Sequence, residues 1–227
     1  MNLGLIDNVS GDVFQAFETM RLVAHQRLSR HDPSFVYLVQ TISGDYAMDA
    51  GIAKEINNRY GFRDFLVESL ADDFGFPGKG WTYHRYAHEF FRIPFMSDGK
   101  TYDTGRKQTI KFHHAIGDVA EMMLDDRSGI LGLVTKPQHD DKPTLEQMKG
   151  ALQSLQNYIY SKHIYWMDED EDTLTVSLVM PTIGCGLDRL HWPDVEEALG
   201  NAFKSDILRG HVRIKVVHKK EVPRIEW

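Results

Sequence analysis

The sequence predicts a layered α/β domain. Apolar, strand-forming runs alternate with segments whose apolar residues recur every three or four positions. Loops carrying glycine or proline separate the two kinds of segment. The 227 residues suffice for one full-sized core, or for a core with a large insertion.

The elements follow in order. MNLGLIDNV and SFVYLVQTIS read as strands. DAGIAKEINNRYG reads as a helix with Ile52, Ile56 and Tyr60 on one face, and Gly61 is placed to end it. SGILGLVTK is a third strand. In DDKPTLEQMKGALQSLQNYIY, residues Leu145, Met148, Leu152, Leu155 and Ile159 form a helical stripe, with Pro143 fitting its first turn. TLTVSLVMP is the fourth strand of this series. WPDVEEALGNAF is a helix with Val195, Leu199 and Phe203 in line, and HVRIKVVHK is the last strand.

Two segments interrupt the rhythm. Residues 15–34 read as helical and then break at His31 to Ser34. Residues 77–127 include the aromatic stretch WTYHRYAHEFFRIPF, a glycine-punctuated turn DGKTYDTG and a helix-like AIGDVAEMMLDD. Trp81, Tyr83, Tyr86, Phe90 and Phe91 suit a small satellite core, or alternatively a lid that stacks on a ligand. The acidic MDEDEDT reads as a solvated loop.

Composition narrows the classes. Hydrophobic residues are 42% and charged residues 26%, ordinary for a soluble globular protein. No run approaches the roughly 18 apolar residues of a membrane span, and the first residues lack a signal peptide's basic and apolar regions. One cysteine forms no internal disulfide, so a reducing cytoplasm is the expected compartment. A net charge of -7 argues against a strongly basic nucleic-acid module.

Open α/β sheets collect ligands beyond the carboxyl ends of their strands. Four loops lie there: SGDVF, SGDYAMDAGIA, TKPQHDDKP and PTIGCGLDRLHW. Two place glycines and free backbone N–H groups before a helix, an arrangement that suits an anion such as a diphosphate. Cys185 lacks the later arginine that a cysteine phosphatase loop requires, because Arg189 follows too soon; it reads as a small packed residue. His84 and His88 have helical metal-ligand spacing without an evident third ligand, and His113 and His114 are equally uncommitted. No metal or cofactor is expected.

Together VMPTIGCGLDRLHWPDV, ISGDYAMDAGIA, VSGDVF and LVTKPQHDDKPTLEQM occur in the order expected of macrodomains. They resemble most the branch containing terminal ADP-ribose protein glycohydrolase. The similar regions are roughly 3–14, 35–76 and 128–218, leaving about 15–34 and 77–127 as insertions without a counterpart in a single domain spanning 1–227. The resemblance implies a three-layer α/β/α fold with a mixed central sheet and an ADP-ribose pocket.

In that pocket Asp12, with Val13 beside it, would accept a hydrogen bond from the adenine amino group. Ala50, Gly51 and Ile52 would lie along one side of the diphosphate. Ile183, Gly184, Cys185, Gly186 and Leu187 would close over the other. Lys136 stands where this branch carries a nucleophilic lysine, and Asp188 where it carries the catalytic aspartate. Partial desolvation of Lys136 would free the amine to attack C1 of the distal ribose, with Asp188 moving protons. Asp49 occupies a position where the family pattern has glycine, and Val217 and His218 lie where an aromatic beside adenine is expected.

The implied activity is removal of ADP-ribose from a modified protein or nucleic acid. Related antitoxin macrodomains act on DNA, so the resemblance leaves both open, while the acidic charge favours protein or a free metabolite. A non-catalytic ADP-ribose reader and an ADP-ribose 1''-phosphate phosphatase stand as alternatives.

Overall fold

The computed structural model describes residues 6–26, 34–73, 115–164, 175–204 and 210–219, with backbone only over 68–73. In chain order the elements are β1 (Ile6–Gly11), α1 (Val13–Gln26), β2 (Ser34–Ser43), α2 (Gly51–Tyr60), α3 (Phe62–Asp73), β3 (Val119–Met123), β4 (Ser128–Lys136), α4 (Leu145–Ile159), β5 (Thr175–Pro181), α5 (Trp192–Ala202) and β6 (Val212–Lys219). The six strands form one sheet in the order β1-β6-β5-β2-β4-β3. Every neighbouring pair is parallel except β3 with β4, so the sheet is mixed, as expected.

Strand alternation builds the three layers. Along β2, Val36, Leu38 and Ile42 face α1, α2 and α3, where they meet Phe14, Phe17, Ile56, Phe62 and Leu66. Tyr37 and Val39 face the opposite layer, where Met148, Leu152 and Leu155 of α4 pack with Val195 and Leu199 of α5. Both faces of β2 and β4 are buried, which is why these strands read as continuous apolar runs. Gly61 takes the left-handed conformation (φ 68°) and donates its N–H to the Asn57 carbonyl, ending α2 where the sequence places a stop.

Several expectations need correction. AIGDVAEMMLDD is not helical: Val119–Met123 is an edge strand, antiparallel to β4 through a turn at 124–127. Its Ala, Glu and Met favour helices, but pairing with β4 buries Ala120 and Met122 at a period of two. Pro143 lies just outside α4, because Thr144 is the N-cap. Thr144 Oγ1 accepts from Gln147 N–H and Gln147 Oε1 accepts from Thr144 N–H, a reciprocal capping box. The first loop shrinks to Asp12, since Ser10 and Gly11 belong to β1. Helix α3 was not anticipated; it starts directly after Gly61, without a loop. Helix α1 accounts for much of the 15–34 segment and packs on the sheet through Phe14 and Phe17. The aromatic stretch, His84, His88, His113, His114 and MDEDEDT lie outside the described residues.

A polar cluster lies where α4 continues into a π-helical turn, Tyr160–Ile164. Lys162 Nζ donates to Glu121 Oε1 and, at 2.9 Å, to the Tyr158 hydroxyl. The Tyr37 hydroxyl meets His163 Nε2 at 2.9 Å. Burial, reinforced by the Lys162 charge, pushes His163 down to about 3. The unfolded chain therefore binds the extra proton below the ordinary histidine value, so stability falls as pH drops through that window toward 3. Between pH 7.5 and pH 5 this single group is expected to cost ~2 kcal/mol. His163→Gln retains an acceptor for Tyr37 and should flatten that part of the dependence. Urea denaturation at the two pH values checks this, and an unchanged slope in the variant would refute it.

Candidate functional site

The five parallel strands run the same way, so the segments following β1, β2, β4 and β5 gather along one edge of the sheet. They enclose a cavity of about 710 Å3, within the range of small-molecule sites. Its wall includes Asp12, Val13, Ala50, Gly51, Ile52, Lys136, Ile183, Gly184, Gly186, Leu187 and Asp188. All these were expected at the site. Of the residues given a binding or catalytic role, Cys185 is the one absent from the wall.

Two rows of backbone donors face each other. Ala50 is the N-cap of helix α2 and offers no side-chain cap, leaving the N–H groups of Gly51, Ile52 and Ala53 without partners among the described residues. Opposite, the 182–190 loop bonds to itself through Cys185 N–H to Thr182 O, Arg189 N–H to Gly186 O and Leu190 N–H to Gly184 O. The N–H groups of Ile183, Gly184, Gly186, Leu187 and Asp188 have no partner among the described residues. Gly184 has φ 72°. Three non-glycine residues with positive φ, Tyr46, Met48 and Arg189, also lie in these two segments. Strain concentrated where chain segments line a cavity is a mark of functional sites. Leu187, 59% exposed, reaches across toward Gly51 and roofs the gap.

Lys136 ends β4 opposite Ser43, across a bulge between Ile42 and Ser43 that re-aims the end of β2. Its ammonium group donates to Asp188 Oδ1 at 2.8 Å and to the His139 carbonyl at 3.0 Å. The two side chains are only 12% and 11% exposed. A cation, a carboxylate and unpaired N–H donors thus converge on one end of the cavity. Lys142 Nζ donates to the Leu187 carbonyl at 2.5 Å, tying the segment after β4 to the glycine loop.

At the other end, Asp12 Oδ1 accepts from Phe14 N–H at 2.8 Å and Gln15 N–H at 3.3 Å, so it caps α1 as well as lining the cavity. Phe14 forms the wall beside it, with the Arg59 guanidinium 4.0 Å from its ring centroid. Val217 is buried in the same wall. The ring of His218 turns away, toward Asn8 and the edge of Trp192. Asp49 is exposed at the rim, and Glu55 also borders the cavity. Burial and the nearby Asp188 charge push the Cys185 thiol up to about 11, so it is a poor nucleophile at neutral pH.

Sequence reasoning missed Phe14, Ser43, Asp45, His139 and Lys142. Asp45 takes four hydrogen bonds in the β2–α2 segment. It and His139 meet only in the fold, and no short-range pattern announces them.

No family model matches the chain. It is 31% identical over 93 residues to the ADP-ribose glycohydrolase OARD1 of Bos taurus, covering 41% of this chain and 53% of that protein. The Homo sapiens protein of that name is 32% identical over 89 residues, covering 39% and 51%. The chain thus spans about half the length of the curated relatives it matches. Among solved structures it is similar to the macrodomain of Mycobacterium tuberculosis DarG, with TM-score 0.52 at 19% identity over 94% of this chain and 97% of that one. The macrodomain of Thermus aquaticus DarG gives 0.51 at 16% identity, over 96% and 99%. These likenesses establish a macrodomain fold across nearly the whole chain, and over about two fifths of it the sequence is also similar to the two ADP-ribose glycohydrolases.

Proposed function

We propose that this macrodomain binds ADP-ribose in the cavity and hydrolyses the bond joining its distal ribose to a modified macromolecule. The observation that carries the reading is the Lys136–Asp188 pair, 2.8 Å apart and largely withdrawn from solvent beside two rows of unpartnered N–H groups. A diphosphate between the rows satisfies donors that otherwise lack partners, without needing a buried positive side chain. The relatives named ADP-ribose glycohydrolase support hydrolysis over simple retention.

In the proposed reaction Asp188 takes a proton from the Lys136 ammonium group. The neutral amine attacks C1 of the distal ribose. The bond from C1 to the macromolecule breaks, its electron pair stays with the departing oxygen of a carboxylate or nitrogen of a base, and Asp188 returns the proton there. Water then adds at C1, the C1–N bond breaks, and a proton from that water restores the ammonium group. The net change is one water consumed and one ADP-ribose released. Positioning of C1 against both groups is worth several kcal/mol, about the scale of an effective-molarity gain.

Titration calorimetry with ADP-ribose tests the cavity, and release from two substrates tests the chemistry. One substrate is a protein ADP-ribosylated on carboxylate side chains; the other is ADP-ribosylated single-stranded DNA. Saturable binding with release from at least one substrate is expected. No heat at millimolar ADP-ribose removes the proposal, and binding without release from either substrate identifies a reader. Phosphate release from ADP-ribose 1''-phosphate alone identifies a phosphatase.

A further inference from the structure

We propose that Asp45 and His139 are positioning residues: a clasp that fixes the His139 carbonyl and through it aims the Lys136 amine. The inference rests on the reading of Lys136 as nucleophile and deepens it.

Asp45 sits just beyond β2, a strand buried between two neighbours. Its Oδ1 accepts from Ser43 Oγ at 2.5 Å and from Ala47 N–H at 3.3 Å. Its Oδ2 accepts both the backbone N–H of His139 at 3.1 Å and the ring Nδ1–H at 2.9 Å. One carboxylate therefore grips the same residue twice, 94 positions away in the chain. The carbonyl of that residue accepts from Lys136 Nζ at 3.0 Å, leaving the 2.8 Å bond to Asp188 as the amine's second constraint.

The need for such a device follows from the local chain. Residues 137–142 are exposed and belong to neither helix nor strand. Their internal bonds, Gln138 N–H to Asp141 Oδ2 and Asp141 N–H to Gln138 O, make a turn without anchoring it to the sheet. Lysine has four rotatable side-chain bonds, so one carboxylate partner leaves its amine poorly aimed. A carbonyl held from β2 gives a second fixed acceptor at an angle to the first. The clasp thus links the rigid centre of the sheet to the reacting atom.

The electrostatics agree. The Asp45 bond holds the His139 imidazole above its ordinary value against the opposing effect of burial, with Asp140 and Asp49 adding to the rise. Burial would raise the Asp45 carboxyl, but the bonds from Ser43 and His139 outweigh it and hold it low. Neutral and protonated imidazole both present Nδ1–H when the proton is placed there, so the clasp persists across neutral pH. Half of the His139 side chain (52%) is exposed, so its substitution threatens the fold little.

The test compares Asp45→Ala, His139→Ala and His139→Asn with wild type, using the ADP-ribosylated protein and ADP-ribosylated DNA as probes, with ADP-ribose binding followed by calorimetry. Asp45→Ala is expected to lower kcat by about 10- to 100-fold, the scale of a misplaced reacting group, with KM and ADP-ribose affinity nearly unchanged. His139→Ala loses the ring bond and should fall about tenfold. His139→Asn carries a side-chain amide that donates in place of Nδ1, and should recover most of that loss. Wild-type kcat in both alanine variants overturns the clasp alone. So does a loss that appears only in KM, or one as deep in His139→Asn as in His139→Ala. A wild type that binds ADP-ribose but releases it from neither probe overturns the nucleophile reading, and this inference with it.

Discussion

Lys136→Ala is expected to lose about a thousandfold or more in ADP-ribose release while binding ADP-ribose within about threefold of wild type. The asymmetry comes from the two halves of the site. Binding is assigned to main-chain donors at the start of α2 and in the 182–190 loop, none of which uses the lysine. The chemistry is assigned to Nζ, which has Asp188 at 2.8 Å and the His139 carbonyl at 3.0 Å. Truncation leaves Asp188 without its cation, so a modest change in stability accompanies the loss and is read separately by thermal unfolding. Release kinetics and calorimetry on the same preparation decide the matter. Activity near wild type would take the lysine out of the reaction, whereas parallel loss of binding would make it a ligand anchor.

The second large effect is expected at Gly184. Its φ of 72° lies where a side chain costs roughly 1–2 kcal/mol. An added methyl would also come within 2.5 Å of Met148 Cε and 3.0 Å of Leu190 Cδ1. The Met148 methyl can swing aside, so backbone strain sets the sign. Gly184→Ala should destabilise the fold by about 1–3 kcal/mol and weaken ADP-ribose binding about tenfold, because relief of the strain turns the 183–188 donors away from the cavity. Gly186→Ala is the control for stability: its φ is not left-handed and nothing lies within 4 Å of the added carbon. Its unfolding free energy should stay within about 0.5 kcal/mol of wild type. Urea denaturation of both variants makes the comparison, and equal stabilities would show that the loop carries no strain at Gly184.

Local physics explains which parts of this molecule are legible in its sequence. Strands β2, β4 and β5 announce themselves because burial on both faces leaves nearly continuous apolar runs, and β6 because its buried Val212, Ile214 and Val216 alternate with Arg213 and Lys215. Helices α2, α4 and α5 show their buried stripes, and the Gly61 stop is visible in one residue. Strand β3 is hidden because Ala120, Glu121 and Met122 prefer helices, and only β4 makes them a strand. Helix α3 is hidden because it follows Gly61 at once, its Arg63 N–H satisfied by Asn57 Oδ1 from the preceding helix. At the site, glycine loops and a lysine at a strand end can be read directly. The Asp45–His139 contact belongs to tertiary structure alone.

The sheet order has a consequence for how this pocket comes into being. Among the described residues, strand β1 stands at one end of the sheet and pairs with β6 alone. Residues Ile6–Gly11 thus pair with Ile214–Lys219, a separation of roughly two hundred residues, and contacts that distant carry the largest chain-closure cost. During synthesis the first of these strands waits unpaired until the other has been made. The lysine end of the cavity draws on β2, β4 and the loop after β5, and is assembled from the middle of the chain. The Asp12 end, with Val217 and Lys219 opposite, is sealed only when the two ends of the sheet's sequence meet. One wall of the pocket is therefore also the seam of the fold.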